Sequence, residues 1–438
     1  LSSKAAAAIF FWSCFLASSV SSHAAQVRGV IEGAAERYRI AISPLKNLGA
    51  KDDGARLSVG IADTISRDLD MTGWFRVLDR SAYLENPQTS GITVGSFDFK
   101  DWSTLGAEGL VKGGYSIQGD ELTVELRLFN VFEQKQMVGK RYEGKAKDFR
   151  QIAHRFADEI VFQFTGTPGV FNTRIAYVSN SGGRFKEIYV SHLDGSDRVA
   201  ITSNRTINLF PSWSPDGRSL LFTSYKTGSP GLFLHELFSG KESRFSTLSG
   251  SNLGGKWSPD GKFVALSIER QGNADLYLLD QNGKLVRRLT EDPGIEVSPT
   301  WSPDGNRLAF VSNRSGSPQI YTMDVANGKT QRLTYSGSYN TSPNWSPKGD
   351  KIAYIARVGA QFNIAAIAPQ GGEPQMLTAN SGDNEDPSWS PDGRFIVFAS
   401  NRRGRYHLYT MQASGENQQR LTASGGDDTH PSWSPRLE

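Results

Sequence analysis

Along the second half of the chain apolar and polar residues alternate in short runs, such as Arg307-Leu308-Ala309-Phe310-Val311 and Lys351-Ile352-Ala353-Tyr354-Ile355. A period of two marks strands with one buried face, and Gly, Asn, Ser and Asp break the runs every few residues, which predicts a turn-rich β array. The pattern itself repeats. Trp-Ser-Pro begins at Trp213, Trp257, Trp301, Trp345, Trp389 and Trp433, a constant spacing of 44 residues. Asp-Gly follows the Pro in the units at 213, 257, 301 and 389, and Lys348-Gly349 in the unit at 345. Pro presets φ for the turn, Asp can bond its own backbone, and Gly takes the left-handed exit, so each motif predicts a hairpin. A third strand carries an aromatic twenty residues after the Trp (Phe233, Tyr277, Tyr321, Tyr409, with Ala365 the exception). A fourth ends at Leu289, Leu333, Leu377 and Leu421, with Ile201 and Phe245 in the same register. Four short antiparallel strands in a unit of this length describe a propeller blade.

The first unit, with strands expected near 174–179, 187–192 and 198–202, has no Trp-Ser-Pro before it, and the last Trp-Ser-Pro has no strands after it. The two halves complement one another. The strand around 430–434 is therefore expected to complete the first blade, closing a six-bladed ring over 170–438 that leaves no free sheet edge.

Residues 26–165 lack the repeat. Their pattern predicts strands over 38–45, 75–78, 109–117, 121–130 and 137–142, with a short helix near 102–105. Longer helices are predicted over 55–71, where Leu57, Ile61, Ile65 and Leu69 share a face, and over 148–164, where Phe149, Ile152, Phe156 and Ile160 do. The expected fold is thus two-domain: an N-terminal α/β domain with a mixed sheet, then the propeller, joined by a short stiff linker at 165–169.

Residues 1–25 differ again. Lys4 is the only charge, 5–16 is apolar, and Ser22-His23-Ala24 has the small-x-small form of a cleavage site, with a cut after Ala25 equally compatible. We read a cleaved secretory signal peptide. The one cysteine, Cys14, lies inside it, so the expected mature protein uses neither disulfides nor thiol chemistry. No later stretch is apolar enough to span a membrane. A net charge of +3 without a basic stripe argues against nucleic acid. Between the cleavage site and the first strand, residues 25–37 fit a disordered tail, an edge strand or a tethered binding segment equally well.

No nucleophile elbow, zinc motif, P-loop or dinucleotide fingerprint occurs. Catalytic residues and a cofactor are therefore not expected, though a hydrolase or lyase acting on saccharide or peptide through scattered side chains is the rival reading. One constellation stands out. Five residues before each Trp sit Asn208, Asn252, Glu296, Asn340, Asn384 and Asp428, always an amide or an acid, and Pro stands two before the Trp in five units. Such residues also serve loop geometry. As a set, with the acidic neighbours Asp383, Glu385 and Asp427, they are expected to ring one mouth of the channel as a polar rim for a docked partner, acidic enough to admit Ca²⁺. The Trp and Tyr/Phe ladders are expected to be blade packing.

With these repeats, the ring closure and the export signal, the chain resembles the TolB family of periplasmic proteins of the Tol–Pal system. The run Phe171-Asn-Thr-Arg-Ile-Ala-Tyr177 and the Trp-Ser-Pro at 433–435 are its more specific marks. The resemblance implies a non-enzymatic periplasmic scaffold serving outer-membrane integrity and constriction during division. It implies that the propeller binds Pal, the peptidoglycan-associated lipoprotein, and that the arm at 25–37, with Val27, Arg28, Val30, Ile31 and Glu32, contacts TolA. Other outer-membrane proteins are further partners in this reading. In this sequence Lys348 and Ala365 mark one blade, and Gly255 another, as departures from the repeat.

Overall fold

The computed structural model describes residues 37–437 apart from 52, 54, 55, 181 and 182. The expected signal peptide and the arm residues Val27, Arg28, Val30, Ile31 and Glu32 lie outside the described residues.

The N-terminal domain runs β1 (Tyr38–Ile42), β2 (Lys46–Asn47), α1 (Arg56–Thr72), β3 (Phe75–Val77), α2 (Phe99–Thr104), β4 (Gly109–Gln118), β5 (Glu121–Asn130), β6 (Lys135–Lys145) and α3 (Phe149–Thr165). The sheet order is β3-β1-β4-β5-β6, parallel where β1 meets β3 and β4 and antiparallel from β4 to β6, so it is mixed as the pattern predicts. Apolar residues at helical spacing on α1 and α3 cover one face of this sheet, and Phe99 and Trp102 of α2 pack with Phe129 in a smaller separate cluster. The predicted strand over 38–45 is interrupted: Ser43 still donates its N–H to the Val111 carbonyl of β4 at 3.0 Å, but Leu45 turns to the Ser58 carbonyl before β2 resumes pairing with β4. Gly166, at φ 68°, ends α3 by donating its N–H to the Phe162 carbonyl at 2.8 Å.

Six four-stranded sheets follow, and Asp428–Trp433 pairs with Arg174–Ser179, so the first and last parts of the propeller share a blade. The strand ending in each Trp is the innermost of its blade. Trp213, Trp301 and Trp389 donate their indole N–H to the carbonyl of Ser432, Lys256 and Asn344 at 3.0 Å, stitching each blade to the one before it. The Ser-Pro-Asp-Gly turns close as expected, Ser214 Oγ donating to Asp216 at 2.6 Å and Gly217 sitting at φ 69°. Where Lys348 replaces the Asp, Asp350 two residues on accepts from Ser346 Oγ at 2.9 Å instead, so that turn is re-closed rather than loosened.

The two domains meet on the Trp-Ser-Pro side of the propeller. Arg394 and Phe395, just past one turn, pack on Trp74, and Gln412 and Asn417 donate to the carbonyls of Thr72, Asp70 and Met71 that end α1. One apolar cluster runs from Leu57 and Phe156 through to Phe395, Leu408 and Trp433. The opposite mouth of the channel therefore faces away from the N-terminal domain.

Candidate functional site: the free mouth of the propeller channel

The six residues five before each Trp begin the innermost strands, as their spacing predicts, but they do not form a rim. Asn208, Asn252, Glu296, Asn340, Asn384 and Asp428 are each at most 1% exposed. Their polar atoms tie the loop before the strand to the blade. Asn208 donates to the Lys186 carbonyl and to Glu187 at 2.9 Å, and Asn252 to the Leu248 and Gly250 carbonyls. Asn340 donates to Gln319 and the Ser336 carbonyl, and Asn384 to the Gly382 carbonyl. Glu296 accepts from Ser312 Oγ at 2.7 Å and pairs with Arg314 at 2.9 Å, and Asp428 accepts from Ser424 Oγ at 2.8 Å. Asp428 Oδ1 is buried with no hydrogen-bond partner among the described residues, but the other five residues are held by partners inside the protein, and all six are shut off from a docking surface by burial. The expectation of an exposed docking ring at these six positions is corrected accordingly.

What faces the channel is the next pair of positions. Every innermost strand carries a β-bulge, with the ladder register shifting across the two residues before the last pair. The residue three before the Trp then adopts the left-handed region: Phe210, Ser298, Ser342, Asp386 and His430 at φ 49–55°, and Gly254 at φ 62°. Non-glycine residues held there cost of order 1–3 kcal/mol each, and such strain collects at functional sites. These residues and the prolines that follow them line the channel. The Gly at 254 takes this conformation without strain, and Gly255 stands where the other blades have Pro.

Outside them the mouth widens to a cavity of about 600 Å³. Its walls are uneven. Val178, Val297, Val311, Ile355 and Phe362 form apolar wall, while Asn180, Lys186, Glu385, Asp386, Tyr406 and Asp427 carry the polar part. Glu385 and Asp427 of the sequence reading do belong here, both half-buried. Glu385 accepts from the Tyr406 hydroxyl at 2.6 Å, and burial raises its pKa. Asp427 accepts from the Tyr406 N–H at 3.0 Å and from Asn180 Nδ2 at 3.3 Å. Asp383 is used up by the Phe362 N–H and Asn401 at 3.0 Å.

Deeper in, His430 Nε2 stands 3.8 Å from Asp386 and its ring meets Phe210 edge-on at 4.7 Å, with Ser342 Oγ donating to Asp386 at 3.3 Å. Burial pushes the His430 pKa down, and Asp386 only partly offsets it. No three His, Cys, Asp or Glu side chains converge as a metal site among the described residues. The channel is thus mixed in charge rather than uniformly acidic.

The signal that would have found these residues is the reverse of the one followed. Positions that recur in all six units hold the scaffold together. Those three and four before the Trp, which contribute to the channel wall, differ from unit to unit.

A family model described as the TolB beta propeller domain matches residues 161–437, and one described as the TolB amino-terminal domain matches 29–137. Curated relatives include the Tol-Pal system protein TolB of Desulfosudis oleivorans, 44% identical over 207 residues covering 47% of each chain, and that of Geobacter sulfurreducens, 44% identical over 193 residues covering 44% of each. These alignments span less than half the length of either relative. Among solved structures, TolB from Acinetobacter baumannii superposes with a TM-score of 0.80 at 29% identity, covering 92% of this chain and 97% of that one.

Proposed function

Because this chain belongs to the TolB family, we propose that it is a periplasmic binding scaffold of the Tol–Pal system, taking the lipoprotein Pal at the free mouth of its propeller. Relatives are named as Tol-Pal system proteins, and the sequence has no nucleophile elbow, zinc motif, P-loop or dinucleotide fingerprint. The observation that carries the reading is the strained ring itself: five non-glycine residues at φ 49–55° hold unlike side chains into one mouth, away from the N-terminal domain. A wall that is apolar on one part and acidic on another offers orientation as well as contact area. The mouth suits a protein segment better than a small substrate, because it is wide and its wall is apolar on one part and polar on another. Among the described residues no helix is long and apolar enough to cross a membrane.

The test is affinity for Pal after Thr341→Trp, which narrows the mouth, and Glu385→Lys, which reverses its charge. At least tenfold weaker binding with an unchanged melting temperature is expected of both, and wild-type affinity in both would overturn the assignment. Binding of TolA through the arm at 25–37 is the second part of the proposal. Deleting that arm should abolish TolA binding and leave the propeller folded.

A further inference from the structure

One position before each Trp, the innermost strands place Ser212, Lys256, Thr300, Asn344, Ser388 and Ser432 in a collar at the neck of the channel. Lys256, Asn344 and Ser388 line both the inner cavity of about 290 Å³ and the mouth on the Trp-Ser-Pro side, so they stand where the two meet. Three of the collar groups are already used as acceptors. Thr300 Oγ1 accepts from the Trp345 N–H at 3.3 Å, Asn344 Oδ1 from the Trp389 N–H at 3.0 Å, and Ser388 Oγ from the Trp433 N–H at 3.0 Å. Committing the acceptor side to the neighbouring blade leaves the hydroxyl and amide hydrogens as what these groups can still offer.

Lys256 is the one cation of the collar. It forms no ion pair among the described residues, and the carboxylate whose field reaches it is Asp386, three blades away on the opposite wall. Burial holds its pKa down to about 8, which still leaves the ammonium charged at neutral pH. Asp386 is engaged by Ser342 and His430 and lies nearer the free mouth. The neck is therefore a ring of donors around an unpaired ammonium, roofed by the apolar rings of Pro211, Pro299, Pro343, Pro387 and Pro431. Ionised acceptors bind such donors most strongly, and a partly buried charge without a partner favours one.

We propose that this collar binds a carboxylate, with Lys256 supplying the charge, Thr300, Asn344 and Ser388 the hydrogen bonds, and the proline rings the contact for its alkyl part. The carboxylate is either that of a small molecule that enters the channel or an acidic side chain of a docked protein. The site lies below the mouth and does not depend on the identity of what docks there.

The probe is acetate, followed on the whole protein by saturation transfer to its methyl group, with methylamine as the cationic control. Transfer to acetate is expected in the wild type, at least tenfold weaker in Lys256→Met, and restored in Lys256→Arg, with none to methylamine. Affinity for Pal is measured on the same variants. Tenfold weaker Pal binding in Lys256→Met assigns the carboxylate to the docked partner, and unchanged Pal binding assigns it to a small molecule. Absence of acetate binding to the wild type, equal binding to wild type and Lys256→Met, or equal transfer to methylamine overturns the proposal, whatever the Pal result.

Discussion

His154 Nδ1 lies 2.7 Å from Asp68 Oδ2, both buried, in the seam where α3 and α1 meet the first propeller blade. Asp194 of that blade stands 3.9 Å from His154 Nε2 and is held by Arg150 at 3.2 Å. Burial alone would push the His154 pKa down, but the carboxylates of Asp68 and Asp194 overcome it and leave it raised. Removing one partner of such a pair strands the other, at roughly 3–5 kcal/mol. Asp68→Leu is therefore expected to lower stability by about that much in urea denaturation, and Asp68→Leu with His154→Leu together by less. A double variant no better than the single one would mean that the two groups are not coupled.

His192 stacks over His154 at 5.5 Å but responds to pH in the opposite sense. Burial, then the nearby charges of Arg174 and His154, hold its pKa down to about 4. A folded pKa below the ordinary 6.5 means that the folded protein binds fewer protons, so stability is lost as pH falls from 6.5 towards 4. A shift of this size corresponds to about 3 kcal/mol at most. The raised pKa of His154 acts in a different window, its contribution fading as pH rises above 6.5. Melting temperatures of His192→Gln between pH 7 and pH 4.5 should fall less than those of the wild type. An equal fall would assign the acid sensitivity elsewhere.

Glu296→Lys now carries a different expectation from the one its place in the repeat suggests. Glu296 is fully buried between Ser312 and Arg314, so reversing its charge puts a lysine beside an arginine in the blade wall. The outcome is destabilisation by at least about 3 kcal/mol, with Pal affinity of the protein that remains folded unchanged. A variant of wild-type stability that fails to bind Pal would restore the residue to the binding surface.

The contrast between Glu296 and Asp386 shows what the sequence could reveal. Blade number, ring closure and the α/β domain were legible because each rests on a local period: two for strands, 3.6 for helices, 44 for blades. Ring symmetry also located the right end of the strands. It misjudged depth, because Asn, Asp and Glu look alike whether they cap a loop from inside or face solvent. The bulge that turns Asp386 and His430 into the channel depends on a left-handed residue before Pro387 and Pro431, and residue identity at that position gives no warning of it. The seam between His154 and Asp68 joins residues far apart in the chain and leaves no periodic trace at all.

Ala365 offers the last test, since it interrupts a ladder that is otherwise regular. In four blades the aromatic on the third strand stacks on its cross-strand partner at 6.0–6.2 Å: Tyr177 with Tyr189, Phe222 with Phe233, Phe310 with Tyr321, and Phe398 with Tyr409. Tyr354 faces Ala365 in that place, and a cavity of about 220 Å³ opens beside Tyr354 and Ile367. Lys226, Arg314 and Arg402 cover the rings of their blades, whereas this blade has the exposed Val358 at the same register. Ala365 is fully buried and does not itself line that cavity, so Ala365→Phe should raise stability by roughly 1–2 kcal/mol from burial and ring contact only if its ring reaches that space beside Tyr354. Adding Val358→Arg should contribute a further ~0.5 kcal/mol through the cation over the new ring. Overpacking a filled site instead costs about 1–3 kcal/mol, so the sign of the change in the urea midpoint decides whether this blade has a vacant ring position or has repacked around alanine.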